Sequence, residues 1–487
     1  MKMILTCLAG TTLAFCGPVD VPTIISPIFP FDNQTNGFED QAAFTRDRES
    51  FEEVDTILRE QVCAKDDDGK CVMKETKGGI GPVYNATSCV SCHQNPVTGS
   101  SSQISEVRAG HFGPAPGHPE RLAFIDHPGG SLVHDRSVSP RTQEHLTPAD
   151  TNRTLRMSTN ILGDGFVECI GDADLIRTVG SQRSVVFGDM RGTVVLAPVA
   201  LTADTSREHV GRFGWKNQHA SLLNFSADAY VNEMGITSVL QPNENLPDGN
   251  PIPPGVDPIP DPEDPADDDH PFGEDVESFA RFMRSTKPPP REVTIGAVTA
   301  GEKLFNDRAE NGKMTGCAIC HVPKFTTRPA GSPIDGNFPG GVVPPALGGK
   351  DVFPFSDFLL HDIGTGDGIV QTQHAQFPPR SSKKVLPLEL DRSDLPLAQE
   401  APVIHLFAPE PSPDIPAGDL IDTARMLRTA PLWGLRVRTH LLHDGLALTV
   451  DEAIRKHSGQ AEKVKLNYAN VLSQEERDQL LAFLNTL

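Results

Sequence analysis

The sequence predicts a mainly α chain in two parts, with long loops and little β structure. Three observations lead there. Helix-opening patterns recur along the chain, while strand-like alternation is scarce. Pro (43) and Gly (42) are abundant and aromatic residues make up only 6% of the 487 residues, so connecting segments are long and the apolar core is thin. One five-residue string, C-x-x-C-H, occurs twice, once in each half.

At the N-terminus, Lys2 precedes a short, mostly apolar run from Met3 to Phe15, with small residues near Thr12-Leu13-Ala14. This reads as an export signal over residues 1–17, too short to span a bilayer. Leu13-Ala14-Phe15-Cys16 resembles a lipoprotein processing site except for the Phe before the Cys, so lipid anchoring stays an alternative. No other segment is long and apolar enough for a transmembrane span. Export implies a periplasmic or cell-surface protein of a Gram-negative bacterium. Outside the cytosol, Cys63 and Cys71, which bracket an acidic Gly-containing loop, are expected to form a local disulfide.

Helices are expected at four capping boxes. Ser50-Phe51-Glu52-Glu53 opens one with Phe51, Val54, Ile57 and Leu58 on a single face. Thr299-Ala300-Gly301-Glu302 opens another, leading to Leu304 and Phe305. Thr449-Val450-Asp451-Glu452 opens a third, carrying Ala453, Ile454 and His457. Ser473-Gln474-Glu475-Glu476 opens the last. The best strand candidates are Ser184–Phe187 and Thr193–Leu196. Residues 239–273 are rich in Pro and Asp, with no core-forming pattern, and read as an exposed linker or loop between parts spanning 40–238 and 274–487.

The two strings are Cys89-Val90-Ser91-Cys92-His93 and Cys317-Ala318-Ile319-Cys320-His321. C-x-x-C-H is the attachment signal of a c-type haem: the thiols add to the macrocycle and the His ligates the iron. A zinc ribbon needs its thiol pairs roughly 15–20 residues apart, and these lie 228 residues apart (89 to 317). Each string therefore holds its own covalent haem c, which makes the two parts cytochrome c-like haem domains. The net charge of −22 argues against nucleic acid or an anionic membrane surface as partner.

Four further stretches carry a family resemblance: Gly81-Pro82-Val83-Tyr84-Asn85 before the first string, Gly211-Arg212-Phe213-Gly214-Trp215-Lys216, Asn232-Glu233-Met234-Gly235, and His443-Asp444-Gly445 followed by Glu452-Ala453-Ile454 and His457. Over roughly residues 40–487 the chain resembles the di-haem oxidoreductase family, often labelled putative peroxidase or thiol oxidoreductase. That family lies within the wider group of bacterial di-haem cytochrome c peroxidases and MauG. The resemblance implies that Trp215 lies between the haems and helps electrons cross. It implies that Glu233 sits over the first haem as the acid/base for peroxide cleavage, and that His457 stands where the second haem's distal ligand is found. The family has Met at that position in its peroxidases; His321 with His457 would lower the second haem's potential. Some members also bind calcium between the domains.

The sixth ligand of the first haem stays open among His111, His118, His127, His134 and His145, with His134 favoured, and an iron without a sixth ligand. The function expected is peroxide reduction at the first haem, with electrons relayed through the second from a small cytochrome or cupredoxin. The alternatives are a non-enzymatic electron-transfer protein and a MauG-like oxidation of a protein substrate.

Overall fold

The computed structural model describes residues 31–56, 62–65, 71–74, 79–115, 118–199, 208–292, 296–309, 311–364, 366–370, 403–405 and 423–487. The expected export signal, with Cys16, lies outside the described residues.

Helix α1 (Gln41–Glu52) starts at Asp40, whose carboxylate accepts the N–H groups of Ala42 and Ala43 at 2.9 and 2.8 Å. The helix thus ends where the Ser50 box predicts a beginning. The stronger cap upstream places Phe44 and Phe51 on one buried face. A hairpin of β1 (Val62–Lys65) and β2 (Cys71–Lys74) carries the two cysteines expected to pair. Its side chains lie outside the described set. Next come β3 (Val83–Tyr84), β4 (Ser105–Ala115), β5 (His118–Asp126), β6 (Leu132–Val133), β7 (Arg136–Ser137) and β8 (Asn152–Met157). Strand β4 pairs antiparallel with β5, β6 and β8, while β3 pairs with β7.

This sheet corrects the predicted fold class. Among the described residues helix makes up only 30% and strand 17%, so the protein is not mainly α. The physical reason is visible in β4, where Gly110, Gly113 and Pro114 give a loop-like composition. Gly110 is a packing glycine in a strand: a Cβ there would meet the Phe124 ring at 2.5 Å and the Ile125 carbonyl at 2.7 Å.

Helices α2 (Asp164–Glu168) and α3 (Asp172–Ser181) follow. Strands β9 (Arg183–Ser184) and β10 (Gly188–Asp189) form a tight hairpin, so the expected strand at Ser184–Phe187 is a turn with Val185 and Val186 exposed. The other expected strand is present as β11 (Val194–Pro198), between β12 (Glu208–Val210) and β16 (Val403–His405). Helix α4 (Leu222–Ala229) runs into one π-helical turn, Tyr230–Met234, closed by Gly235 at φ +70°. Residues 239–273 are irregular but fastened. Asp248 meets His127 at 3.0 Å, and Asp264 accepts the Asp275 and Val276 N–H groups at the start of α5 (Glu274–Ser285). Helix α5 packs on α1 and α4, where Phe51, Phe279 and Phe282 interlock.

Helices α6 (Ala297–Phe305) and α7 (Cys317–Cys320) lead to β13 (Phe325–Thr326), β14 (Asp351–Val352), β15 (Leu360–Asp362) and β17 (Met426–Arg428). The chain closes with α8 (Val450–Lys456), α9 (Glu462–Asn470) and α10 (Gln474–Leu484). The capping boxes of α8 and α10 are formed at Thr449 and Ser473, whereas α6 begins earlier than its box, after Gly296. Helices α6 and α10 touch closely: a Cβ on Gly301 would lie 1.9 Å from the Gln479 carbonyl oxygen. A second apolar cluster around Phe305, Phe355 and Phe483 grows from that contact.

Candidate functional site

Both C-x-x-C-H strings fold alike. Cys89–Ser91 is a single 3₁₀ turn and Cys317–Cys320 a single α turn. In each, the His N–H returns to the first Cys carbonyl, at 3.1 Å for His93 and 3.0 Å for His321. His93 Nδ1 lies 3.2 Å from the Ser100 carbonyl and His321 Nδ1 lies 3.0 Å from that of Phe355. A carbonyl only accepts, so Nδ1 carries the proton and Nε2 keeps its lone pair. None of the four thiols is in a disulfide.

Each string opens into its own cavity. The first is lined by Phe51, Cys89, Cys92, His93, Glu106, Arg108, Glu233 and Phe279, among others. Glu233 reaches it from the π turn, a local widening of the helix of the kind found at functional sites. The turn is clamped against the strand that precedes the first string: Asn85 N and Ala86 N donate to the Glu233 carbonyl at 2.8 and 3.0 Å. A Cβ on Gly81 would lie 1.8 Å from the Gly235 carbonyl oxygen, so the two segments meet backbone to backbone. The side chain of Asn85 then donates to Glu233 Oε2 at 2.8 Å. Burial pushes the Glu233 carboxyl well above the usual carboxylate range, and the charge of Glu106 and a hydrogen bond to it push the same way. Burial also works against charge on Glu106, but the Arg108 guanidinium holds it below its ordinary value. Sequence reasoning misses Glu106 and Arg108. Their only local signal is the i, i+2 spacing that puts both on one face of a strand.

The second cavity is lined by Cys317, Cys320, His321, Arg428, Arg438, His443 and His457, among others. His457 caps the C-terminal end of α8, with Nδ1 2.7 Å from the Ala453 carbonyl, so its Nε2 is free in the same sense. The rings of His321 and His457 face one another with centroids 6.5 Å apart. Arg428 is buried and Arg438 half-buried, and desolvation lowers each to about 10. Arg428 Nε and His443 Nδ1 have no hydrogen-bond partner among the described residues.

The cavities share a wall. Met157, Ser158, Thr159 and Trp215 line both. Trp215 Nε1 donates to the Met157 carbonyl at 2.7 Å, and Met157 N donates to the His443 carbonyl at 2.7 Å. Lys216, next to Trp215, is fully buried and meets Asp367 at 2.8 Å.

His134 is not brought to either cavity. Its ring nitrogens lie 2.9 Å from Glu144 and 2.9 Å from the Asn232 carbonyl, so it props the π turn from behind. His111, His127 and His145 do not line the first cavity either, and the side chain of His118 lies outside the described residues. His219 does line it, held through Nε2 by Asp228 at 3.0 Å. For calcium, which the resemblance allows without assigning ligands, three carboxylates gather at Glu244, Asp257 and Asp261 within 4.8 Å. Acidic groups cluster without an ion often enough that this assigns none. No described helix is long and apolar enough to cross a membrane.

Two apolar chambers with a common wall, each entered by a C-x-x-C-H turn, define a protein built around a pair of cofactors. Residues 132–376 and 416–487 match the family model described as "Di-haem oxidoreductase, putative peroxidase". The chain belongs to the di-haem oxidoreductase family, and two haems are its cofactors. The second string lies inside the matched residues and the first precedes them. No curated protein matches. Among solved structures, hydrazine synthase of Kuenenia stuttgartiensis, pressurised with xenon, is similar at 15% identity and a TM-score of 0.34, covering 100% of this chain and 99% of that chain. Likeness at that level carries no functional argument.

The residues present fit haem. The separation of the His321 and His457 rings is near what two metal–nitrogen bonds of about 2 Å require, once the ring radii are added. Arg428, buried and with its Nε unpartnered among the described residues, and the half-buried Arg438 offer cationic groups for acidic substituents of a macrocycle.

Proposed function

We propose that the protein is an exported di-haem c-type oxidoreductase that reduces hydrogen peroxide in the first cavity, with electrons received through the second. The two haem-bearing parts are residues 40–238 and 274–487, and the N-terminal export pattern with two haem-attachment strings supports a periplasmic or cell-surface location. The observation that carries the reading is an asymmetry. The second cavity presents two facing histidines, whereas the first presents one histidine tethered at Nδ1, a second, His219, held through Nε2 by Asp228, and a half-buried, proton-holding carboxyl, Glu233.

When bound, the haems supply one-electron carriers and an iron at which a peroxide bond can be reduced. Cys89 and Cys92 would attach the first, and His93 would ligate it. Cys317 and Cys320 would attach the second, with His321 and His457 as the imidazoles that would hold its iron. Glu233 holds a proton in the lining of the first cavity, where it can give it at one oxygen and take one at the other. Asn85 aims that carboxyl. Trp215 fills the wall as the electron bridge. Phe51, whose ring lies 6.0 Å from that of His93, and Phe279 give the cavity an apolar lining. The oxidant is a small peroxide, and the donor is a small cytochrome or cupredoxin.

Glu233→Gln keeps the shape and removes the titrating group. It is expected to retain both haems and to cut peroxide turnover at least about tenfold, a conservative floor below the roughly hundredfold low end of general acid–base contributions. Wild-type turnover in that variant removes Glu233 from the mechanism. A plain electron carrier instead needs a second strong ligand in the first cavity. Among the described residues His219 is the histidine available, and its Nε2 is held by Asp228.

A further inference from the structure

Glu233 is hydrogen-bonded to a second carboxyl, that of Glu106, inside the first cavity. Two carboxyls in hydrogen-bond contact need one proton between them, and in a low-dielectric cavity they do not both ionise. The surroundings decide which of them carries it. Arg108 grips Glu106 with two parallel bonds, Nε to Oε1 at 2.7 Å and Nη2 to Oε2 at 2.9 Å. Glu233 receives one neutral donor, Asn85 Nδ2, at 2.8 Å. A bidentate guanidinium outweighs a single amide donor.

The other charged groups around the pair are committed elsewhere. Arg156 on β8 gives Nε and Nη2 to Asp367 at 2.9 and 2.7 Å. Asp228 on α4 binds His219 and Asn232, each at 3.0 Å. Arg136 on β7 lies beside the exposed Asp135. The negative charge of the pair therefore settles on Glu106 and the proton on Glu233.

We propose that Glu106 and Arg108 are positioning residues of the first cavity: Arg108 fixes the charge on Glu106, and charged Glu106 keeps the single proton of the pair on Glu233. The inference rests on the proposed role of Glu233 and adds the device that sets its protonation state. Reducing one hydrogen peroxide to two waters breaks one O–O bond and takes up two electrons and two protons. The electrons come from the one-electron donor protein. Glu233 holds one of the protons in place and water supplies the other.

The test uses the full chain with both haems attached and reads the infrared carbonyl band of protonated Glu233 against pH, identified as the band lost in Glu233→Gln. In Glu106→Gln, Glu233 faces Arg108 without a charged carboxylate neighbour, so its band should titrate away at least about one pH unit lower than in wild type. In Arg108→Gln the unbalanced Glu106 charge should move the titration the opposite way. The double variant, which keeps burial alone, should fall between them. The alkaline limb of the peroxide-turnover profile should shift in the same order. An unmoved band in Glu106→Gln with both haems present overturns the proposal, and so does a shift of both single variants in one direction. The infrared arm does not depend on turnover, so a failure of the peroxidase reading and a failure of the carboxyl pair give different results.

Discussion

Trp215 hands its indole N–H to the carbonyl of Met157 across 2.7 Å, in the wall common to both cavities. The same two stretches are joined a second time. Lys216, beside Trp215, and Arg156, beside Met157, share the buried Asp367 at 2.8 and 2.7 Å. The indole is therefore held at its own nitrogen and through its neighbour's ion pair, and it also meets the His443 ring at 6.2 Å, edge to face. Rigid, close placement is what a bridge between two redox centres needs.

Replacing the bridge tests that reading. Trp215→Phe keeps an aromatic filler and loses the hydrogen bond and the oxidisable indole. It should retain both haems and slow electron transfer between them at least about tenfold, a barrier change of roughly 1.4 kcal/mol. Stopped-flow reduction of the first haem through the second reads the rate. An unchanged rate would leave Trp215 as packing alone.

The second cavity makes a prediction about potential. His321 and His457 face each other at 6.5 Å, each with Nδ1 tied to a backbone carbonyl. His457→Met exchanges one nitrogen ligand for a thioether and should raise the second haem's potential, by on the order of 0.1–0.3 V within the roughly 0.8 V range that axial ligands span. Potentiometric titration followed in the visible spectrum separates the two haems. A second haem with an unmoved potential would place the distal ligand elsewhere.

Parts of this site are legible in the sequence because their information is local. The C-x-x-C-H turns need five residues, and the boxes at Thr449 and Ser473 need four, so both are readable as written. The Ser50 box fails because a competing cap at Asp40 lets Phe44 and Phe51 bury together, and tertiary burial outweighs local preference. Glu233, Trp215 and His457 stand out through family resemblance, not through any local pattern. The Glu106–Glu233 contact is not legible at all. It depends on β4, whose glycines look like loop but sit in a strand paired with β5, β6 and β8, with Phe124 packed where a Cβ on Gly110 would stand. The misjudged fold class has the same origin.

A stability prediction comes from outside the cavities. His209 on β12 lies between two carboxylates, with Nδ1 2.7 Å from Asp172 and Nε2 2.8 Å from Asp335. Burial opposes its charge, but the two hydrogen-bonded carboxylates raise it to about 9. The folded value exceeds the ordinary one near 6.5, so the stabilisation is fully present below about pH 6.5 and is lost as pH rises through about 9. At roughly 1.4 kcal/mol per unit, it amounts to at most about 3.5 kcal/mol, and solvent screening at a side chain 26% exposed reduces it. His209→Gln should lower the Tm clearly near about pH 6 and scarcely at all near about pH 10. An equal loss at both would show that the imidazolium charge contributes nothing.

The central claim is that the two haem sites differ, the first open to a small oxidant beside Glu233 and the second closed by two histidines. Low-temperature electron paramagnetic resonance of the protein, fully oxidised and then half-reduced, tests it most directly. The account predicts a high-spin signal from the first haem in at least one state, abolished by cyanide, beside a low-spin second haem. Two purely low-spin haems in both states would contradict it and make the protein an electron carrier.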